Sequence, residues 1–161
     1  MKTITTSQKL ICGIALLGTT LLISCGTNRK VKVAELPKAK TIEILAVNDM
    51  HAAIDNFPRL AFMADSLRNI YPNLLLISGG DNQTGNPAND QYPEKGIPII
   101  ELMNAVKFDM SAVGNHEFDS RLVGFANITH KAKFDFLSAN IDLPQTPDFR
   151  IKPYVIIKSP N

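Results

Sequence analysis

The sequence predicts an α/β protein, a mostly parallel sheet with helices on both faces. Three observations carry that expectation. Short apolar runs alternate with segments of helical periodicity from residue 41 onward. Three of the runs lead into polar clusters: Asn48-Asp49-Met50-His51, Ser78-Gly79-Gly80-Asp81-Asn82 and Gly114-Asn115-His116-Glu117-Phe118-Asp119. The steps from Asp49 to Asp81 and from Asp81 to Asn115 are 32 and 34 residues. A strand–helix–strand unit takes about 30 residues or more, so each step fits one such unit. Ligands of open α/β sheets bind outside the carboxyl ends of the strands. The three clusters are therefore expected side by side on one edge.

Each element has its own justification. Residues 1–25 start with two lysines and continue into a 14-residue apolar run, Leu10 to Ile23. That run is short for a membrane-spanning helix of about 20 residues and fits a secretory signal. Residues 26–40 are polar, lack periodicity and read as a tether. Residues 41–47 (TIEILAV) form an expected buried strand. Residues 57–70 place Phe57, Leu60, Ala61, Met63, Ala64, Leu67 and Ile70 on a helical stripe, and Tyr71-Pro72-Asn73 ends it. Residues 74–77 are continuously apolar, as expected of a central strand covered on both faces.

Residues 79–95 are rich in Gly, Asn and Pro. A loop of that length in a compact domain is functional or disordered, and its Gly-Gly-Asp start favours function. Residues 97–108 are an expected helix with Pro98 in its first turn, where proline is tolerated. Residues 110–113 are the third strand, 121–133 a helix, 134–140 a fourth strand and 151–158 a candidate fifth. Met50, Met63, Met103 and Met110 read as local packing, and His130 as a solvated helix residue. Asn140 ends a strand on the expected functional edge.

Composition narrows the chemistry. Across 161 residues, 17 Lys and Arg stand against 15 Asp and Glu. Residues 1–25 hold two of the lysines and no acid, which leaves 15 of each sign in the remainder. That balance gives no electrostatic reason to expect nucleic acid as a partner. Both cysteines, Cys12 and Cys25, lie in the leader, so the remainder has neither disulfide nor thiolate chemistry.

The clusters offer carboxylate, carboxamide and imidazole groups without sulfur, a set suited to Mn, Fe, Zn or Mg. Asp49 and His51, two apart, can be aimed at one ion by a local kink. Asp81, from the next strand end, can bridge two ions, and Asn115 can serve the second. Two divalent ions about 3.5–4 Å apart can activate a bridging water and stabilise an in-line displacement at phosphorus. His116 is then free to act on the leaving oxygen as an acid. Asp119 is placed to fix its tautomer. Taken singly, each group has an ordinary explanation as a turn, cap or surface residue. The spacing makes the metal site the stronger reading.

The same residues carry a resemblance. Asn48-Asp49-Met50-His51, Gly80-Asp81-Asn82-Gln83-Thr84-Gly85-Asn86-Pro87 and Gly114-Asn115-His116-Glu117-Phe118-Asp119 resemble the first three motifs of calcineurin-like metallophosphoesterases, in the branch of the 5′-nucleotidases. The resemblance implies part of a metallophosphoesterase α/β sandwich with a dinuclear metal site. It implies Asp49 and His51 on one metal, Asp81 bridging, Asn115 on the second, and His116 with Asp119 as a catalytic dyad. Leu22-Ile23-Ser24-Cys25-Gly26 resembles a bacterial lipobox, which implies lipidation at Cys25 and anchoring at the cell envelope.

The chain departs from the family pattern at Met50, where a small polar residue is usual, and at Ala52, where glycine is usual. It has only His51, His116 and His130, and no Gly-His pair of the kind that supplies the family's downstream ligands. The expected division is therefore 1–25 signal peptide, 26–40 tether and 41–161 the N-terminal part of a phosphoesterase domain. The missing ligands are expected from a C-terminal portion or a partner chain. The expected activity is hydrolysis of nucleotide phosphate esters. A cyclic-nucleotide phosphodiesterase, a nucleotide-sugar hydrolase, a thiosulfohydrolase and a non-catalytic lipoprotein are the alternatives.

Overall fold

The computed structural model describes residues 41–145 and 147–158. The expected signal peptide, tether and Cys25 lie outside the described residues. The described chain folds into a five-stranded sheet of β1 (Ile44–Val47), β2 (Leu75–Ser78), β3 (Met110–Ala112), β4 (Asp135–Leu137) and β5 (Ile151–Lys152). The strands lie in chain order and every neighbouring pair is parallel. The helices are α1 (Phe57–Ile70), the single-turn α2 (Pro87–Asp90), α3 (Ile97–Val106) and α4 (Arg121–Lys131). Among the described residues no helix is long and apolar enough to cross a membrane.

Strand order and handedness together decide the layers. Parallel strands joined by right-handed crossovers, each to its next neighbour, place every crossover helix on one face. Burial along the strands agrees. Leu76, Ser78, Ser111 and Phe136 are buried on the face under the helices, while their neighbours Leu75, Ile77, Met110, Ala112 and Leu137 are only half-buried. On β1, Leu45 and Val47 pack on the core while Ile44 is 55% exposed. The expectation of helices on both faces is thus corrected, and with it the expectation that residues 74–77 are covered on both sides. Among the described residues the sheet has one helical layer and one open face.

The helices form a row, α1 packing on α3 and α3 on α4. The Arg68 guanidinium of α1 donates to the carbonyls of Val106 (2.9 Å) and Lys107 (2.7 Å). It thereby satisfies carbonyls at the C-terminal end of α3 that have no helical partner. Helix α1 spans the expected residues, but its stripe is narrower than the sequence suggests. Phe57 and Ala64 are buried, while Met63 and Ile70 are exposed, and so is Phe62. Met63 is therefore not a packing residue, whereas Met103 is fully buried.

The core continues as a chain of aromatic rings. Phe118 lies 4.6 Å from Phe125, which lies 5.6 Å from Phe149 and 6.1 Å from Phe136. Phe136 meets Phe134 at 5.2 Å. Such offset and edge contacts add to the burial of apolar area. Phe118 belongs to a short 3₁₀ turn, His116–Phe118, so this cluster anchors the loop that carries His116.

Strand ends differ from expectation. The ladder of the fourth strand closes at Leu137 rather than residue 140, and the fifth strand keeps only Ile151 and Lys152 of the expected 151–158. The loop after β2 is held by its own hydrogen bonds, among them the Gly85 amide to Asp90 at 2.9 Å. Asn86 accepts from the Ala88 amide at 2.9 Å and caps α2. Buried Asn89 bonds Gln83 at 3.2 Å and the Ile99 amide at 3.1 Å.

Phe125 is fully buried at the centre of the aromatic cluster. Phe125→Ala is expected to cost about 3–5 kcal/mol of stability, read by chemical denaturation. A loss below about 1 kcal/mol would contradict this account of the core.

Candidate active site

The parallel sheet brings the three clusters to one edge, and backbone bonds continue between the loops beyond the last ladder residue. The Asp49 amide donates to the Gly80 carbonyl (3.1 Å), His51 to Asp81 (3.1 Å) and Ala52 to Asn82 (2.8 Å). This register needs an unusual backbone. Asp49, His51, Ala52, Asp81 and Thr84 all have positive φ, between 45° and 64°. Non-glycine residues enter that region at a cost, and such strain collects at functional sites. Ala52, at the position where the family usually has glycine, has φ 50° and is fully buried.

The first and second loops are joined through His51. Its Nδ1 lies 3.1 Å from the Thr84 carbonyl. A carbonyl oxygen can only accept, so Nδ1 carries the proton and, in the neutral ring, the Nε2 lone pair is left free. That Nε2 faces Asp49 Oδ1 at 3.9 Å. The first and third loops meet where the rings of His51 and His116 stand edge-on, with centroids 4.7 Å apart. The second and third loops meet at Asp81, whose Oδ1 accepts the His116 amide at 2.9 Å.

The third loop carries a His–Asp pair. His116 Nδ1 lies 2.8 Å from Asp119 Oδ2. The bond to Asp119 raises the His116 pKa above its ordinary 6.5; partial burial opposes this, and the Asp119, Asp81 and Glu117 charges add to the rise. Asp119 is lowered from its ordinary 3.8, first by His116 and then by the Thr84 hydroxyl. That hydroxyl is buried and has no partner in full hydrogen-bonding geometry, although it is close enough to help hold the Asp119 charge.

The structure thus brings together Asp49, His51, Asp81, His116 and Asp119. Asn115 sits between Gly114 and His116 with its side chain exposed. Asn140 is also exposed, accepts from the Ser138 hydroxyl at 3.1 Å and makes no hydrogen bond to the three loops among the described residues. His130 is exposed on α4 and faces Asp148. Beside Asp49 opens a cavity of about 380 Å³ lined by Val47, Met50, Asn56 and Leu60 among others; His51, Asp81, His116 and Asp119 are not part of its wall. Among the described residues no group of three or more His, Cys, Asp or Glu side chains is arranged to hold a metal ion. The donors fit a divalent ion in type, all oxygen or imidazole nitrogen with His51 Nε2 left free, and fall short of one in number.

Sequence reasoning passed over Glu117. It is 1% exposed and receives hydrogen bonds from both the second and third loops. The signal available was its position inside the third cluster, an acid in a turn whose neighbours Phe118 and Val113 are apolar.

A parallel sheet with carboxylate, imidazole and carboxamide groups on the loops at its carboxyl edge defines an α/β protein with its chemistry at the strand ends. The match of residues 42–156 to the model of the calcineurin-like phosphoesterases is more specific, and the chain belongs to that family. It is 35% identical over 144 residues to protein UshA of Salmonella pullorum, covering 81% of this chain and 25% of that protein. It is 32% identical over 118 residues to human 5′-nucleotidase, covering 62% of this chain and 20% of that protein. The structure of the NAD nucleotidase of Haemophilus influenzae matches with a TM-score of 0.66 and 28% identity, over 73% of this chain and 24% of the other. The chain therefore spans a quarter or less of the length of these relatives.

The His116–Asp119 pair has a defined pH window. The raised His116 contributes stability that is complete below pH 6.5 and is lost as pH rises through its folded value. The lowered Asp119 contributes stability that is present above pH 3.8 and is lost as pH falls through its folded value. In metal-free protein, Asp119→Asn is expected to bring the His116 pKa down, read from its imidazole resonances by NMR. An unchanged titration would contradict the pairing.

Proposed function

We propose that this chain is the N-terminal part of a metal-dependent phosphoester hydrolase, resembling the 5′-nucleotidases, that acts on nucleotide phosphate esters. The observation that carries the reading is the convergence of three strand-end loops, with His51 edge-on to His116 and the His116 amide bound to Asp81. The nucleotidases among its relatives support the nucleotide part.

Asp49 and His51 would hold one divalent ion, Asp81 would bridge and Asn115 would hold the second, with Mn, Zn, Fe and Mg all compatible with the donor set. When bound, the ions would supply positive charge that acidifies an attacking water and offsets the phosphate charge. His116 presents Nε2 while Asp119 holds Nδ1. With Nδ1 held by the carboxylate, Nε2 is the ring nitrogen left to pass a proton to the leaving oxygen.

Further donors, from another part of the protein or from a partner chain, would complete the site. The open sheet face supports this, since among the described residues exposed Ile42 and Ile44 and half-buried Leu75 and Ile77 form an uncovered apolar surface. Residues 1–25 would act as a lipoprotein-type signal, with Cys25 acylated. Residues 26–40 would tether residues 41–161 at the periplasmic or cell-surface side of a bacterial envelope membrane. A non-catalytic lipoprotein is the competing reading, favoured by the small number of donors. It predicts no turnover even in the full-length protein.

The test is phosphate release from nucleoside 5′-monophosphates by the full-length protein with added Mn²⁺. Asp81→Ala and His116→Ala are each expected to lower kcat by at least about 100-fold, and chelation to abolish turnover. Unchanged hydrolysis in either variant would overturn the assignment.

A further inference from the structure

We propose that Glu117 is the positioning residue of this site, a buried clamp that sets the Asp81 loop against the Asn115–His116 loop. The proposal rests on the phosphoesterase reading for its effect on rate, and on geometry alone for the clamp. The Glu117 side chain is 1% exposed and accepts four hydrogen bonds. Oε1 takes the Asn82 amide at 2.8 Å and Asn82 Nδ2 at 3.1 Å. Oε2 takes the Asp81 amide at 3.1 Å and the Gly114 amide at 2.6 Å. One carboxyl group therefore binds the amides on both sides of the junction between the two loops.

The bonds fall where the backbone most needs them. Asp81 has φ 52° and Gly80 has φ 102°, and residues in this region are left with amides turned away from the strand ladder. A buried amide without a partner is costly. Glu117 supplies that partner and fixes the direction in which the Asp81 side chain leaves the backbone. Asp81 Oδ1 in turn accepts the His116 amide at 2.9 Å. The clamp thus reaches His116 without touching its ring.

Beneath the clamp lies a closed polar network. Asn82 Oδ1 accepts the Ser78 hydroxyl at 2.5 Å, and Asn82 Nδ2 donates to the Ser111 hydroxyl at 2.9 Å. The Gly80 amide donates to the Ser78 hydroxyl at 3.1 Å. Ser78, Asn82 and Ser111 are all buried. Strands β2 and β3 thereby contribute a polar floor at the point where a core would otherwise be apolar. A floor of this kind specifies one arrangement of the loops, because a partly satisfied buried network is costly.

Glu117→Gln tests the clamp with nearly constant shape. Each carboxyl oxygen receives two N–H donors, so either orientation of the amide sets its NH₂ against donors. On full-length protein the variant is expected to shift the amide resonances of Asp81, Asn82 and Gly114, and also of His51, which is remote in sequence and donates its amide to the Asp81 carbonyl at 3.1 Å. The amides of Leu75 and Leu76 should stay in place. In the hydrolysis assay kcat is expected to fall about 10- to 100-fold, with KM within about threefold of the parent.

Wild-type kcat in Glu117→Gln would overturn the proposal, and so would an unmoved His51 amide. If the parent protein hydrolyses no phosphate ester, the functional reading fails. The His51 resonance then decides the clamp alone. If Glu117→Gln does not fold, Asn82→Ala removes one of the four donor contacts, that of Nδ2, and keeps the backbone amide. A smaller shift at His51 supports the clamp and no shift overturns it.

Discussion

The site depends on one close approach, that of the loop after β2 to the loop after β3. At Gly114 a Cβ would stand 2.6 Å from the Asp81 amide nitrogen, and at Gly80 (φ 102°) it would stand 2.9 Å from the Gly114 nitrogen. No side chain fits between the two backbones, so glycine is required on both sides. The approach leaves amides without ladder partners, and Glu117 receives them. Phe118, the next residue, is anchored in the aromatic core. One turn thus joins the reactive edge to the interior by an apolar contact on one side and a polar one on the other.

The rest follows from the topology. Parallel strands in chain order bring all carboxyl ends to one edge, so residues more than 30 apart in sequence meet there. The same order collects α1, α3 and α4 on a single face and, among the described residues, leaves the opposite face open. Stability in the described part comes from one half of a sandwich, with Phe125, Phe136, Leu76, Ile99 and Ile100 as its centre. The functional edge and the open face share the same strands. A covering layer that buried Ile44, Leu75 and Ile77 would rest directly behind the loops of Asp49 and Asp81.

Much of this was legible in the sequence. Helix α1 has the predicted bounds because its start carries Pro58 in the first turn and its end meets Tyr71-Pro72. The spacing of Asp49, Asp81 and Asn115 predicted their shared edge, since crossover length is fixed by geometry rather than by residue identity. Layering was not legible in the same way. A continuous apolar strand such as residues 74–77 reads as covered on both faces, yet only strand order decides which face receives the helices. Met63 and Ile70 fit the helical stripe by period but lie beyond its buried width. The polar floor of Ser78, Asn82, Ser111 and Glu117 was invisible because it joins two loops, with Asn82 and Glu117 35 residues apart. Each is ordinary alone.

The central claim is that the three strand-end loops form one site for divalent cations. The most direct measurement is a titration of full-length, metal-free protein with Mn²⁺, followed by paramagnetic broadening of amide resonances. The account predicts that substoichiometric Mn²⁺ first broadens the amides of Asp49, His51, Asp81 and Asn115, while those around the carboxylates of Asp65 and Asp135 stay sharp. Broadening centred on other carboxylates, or none at these loops, would contradict it.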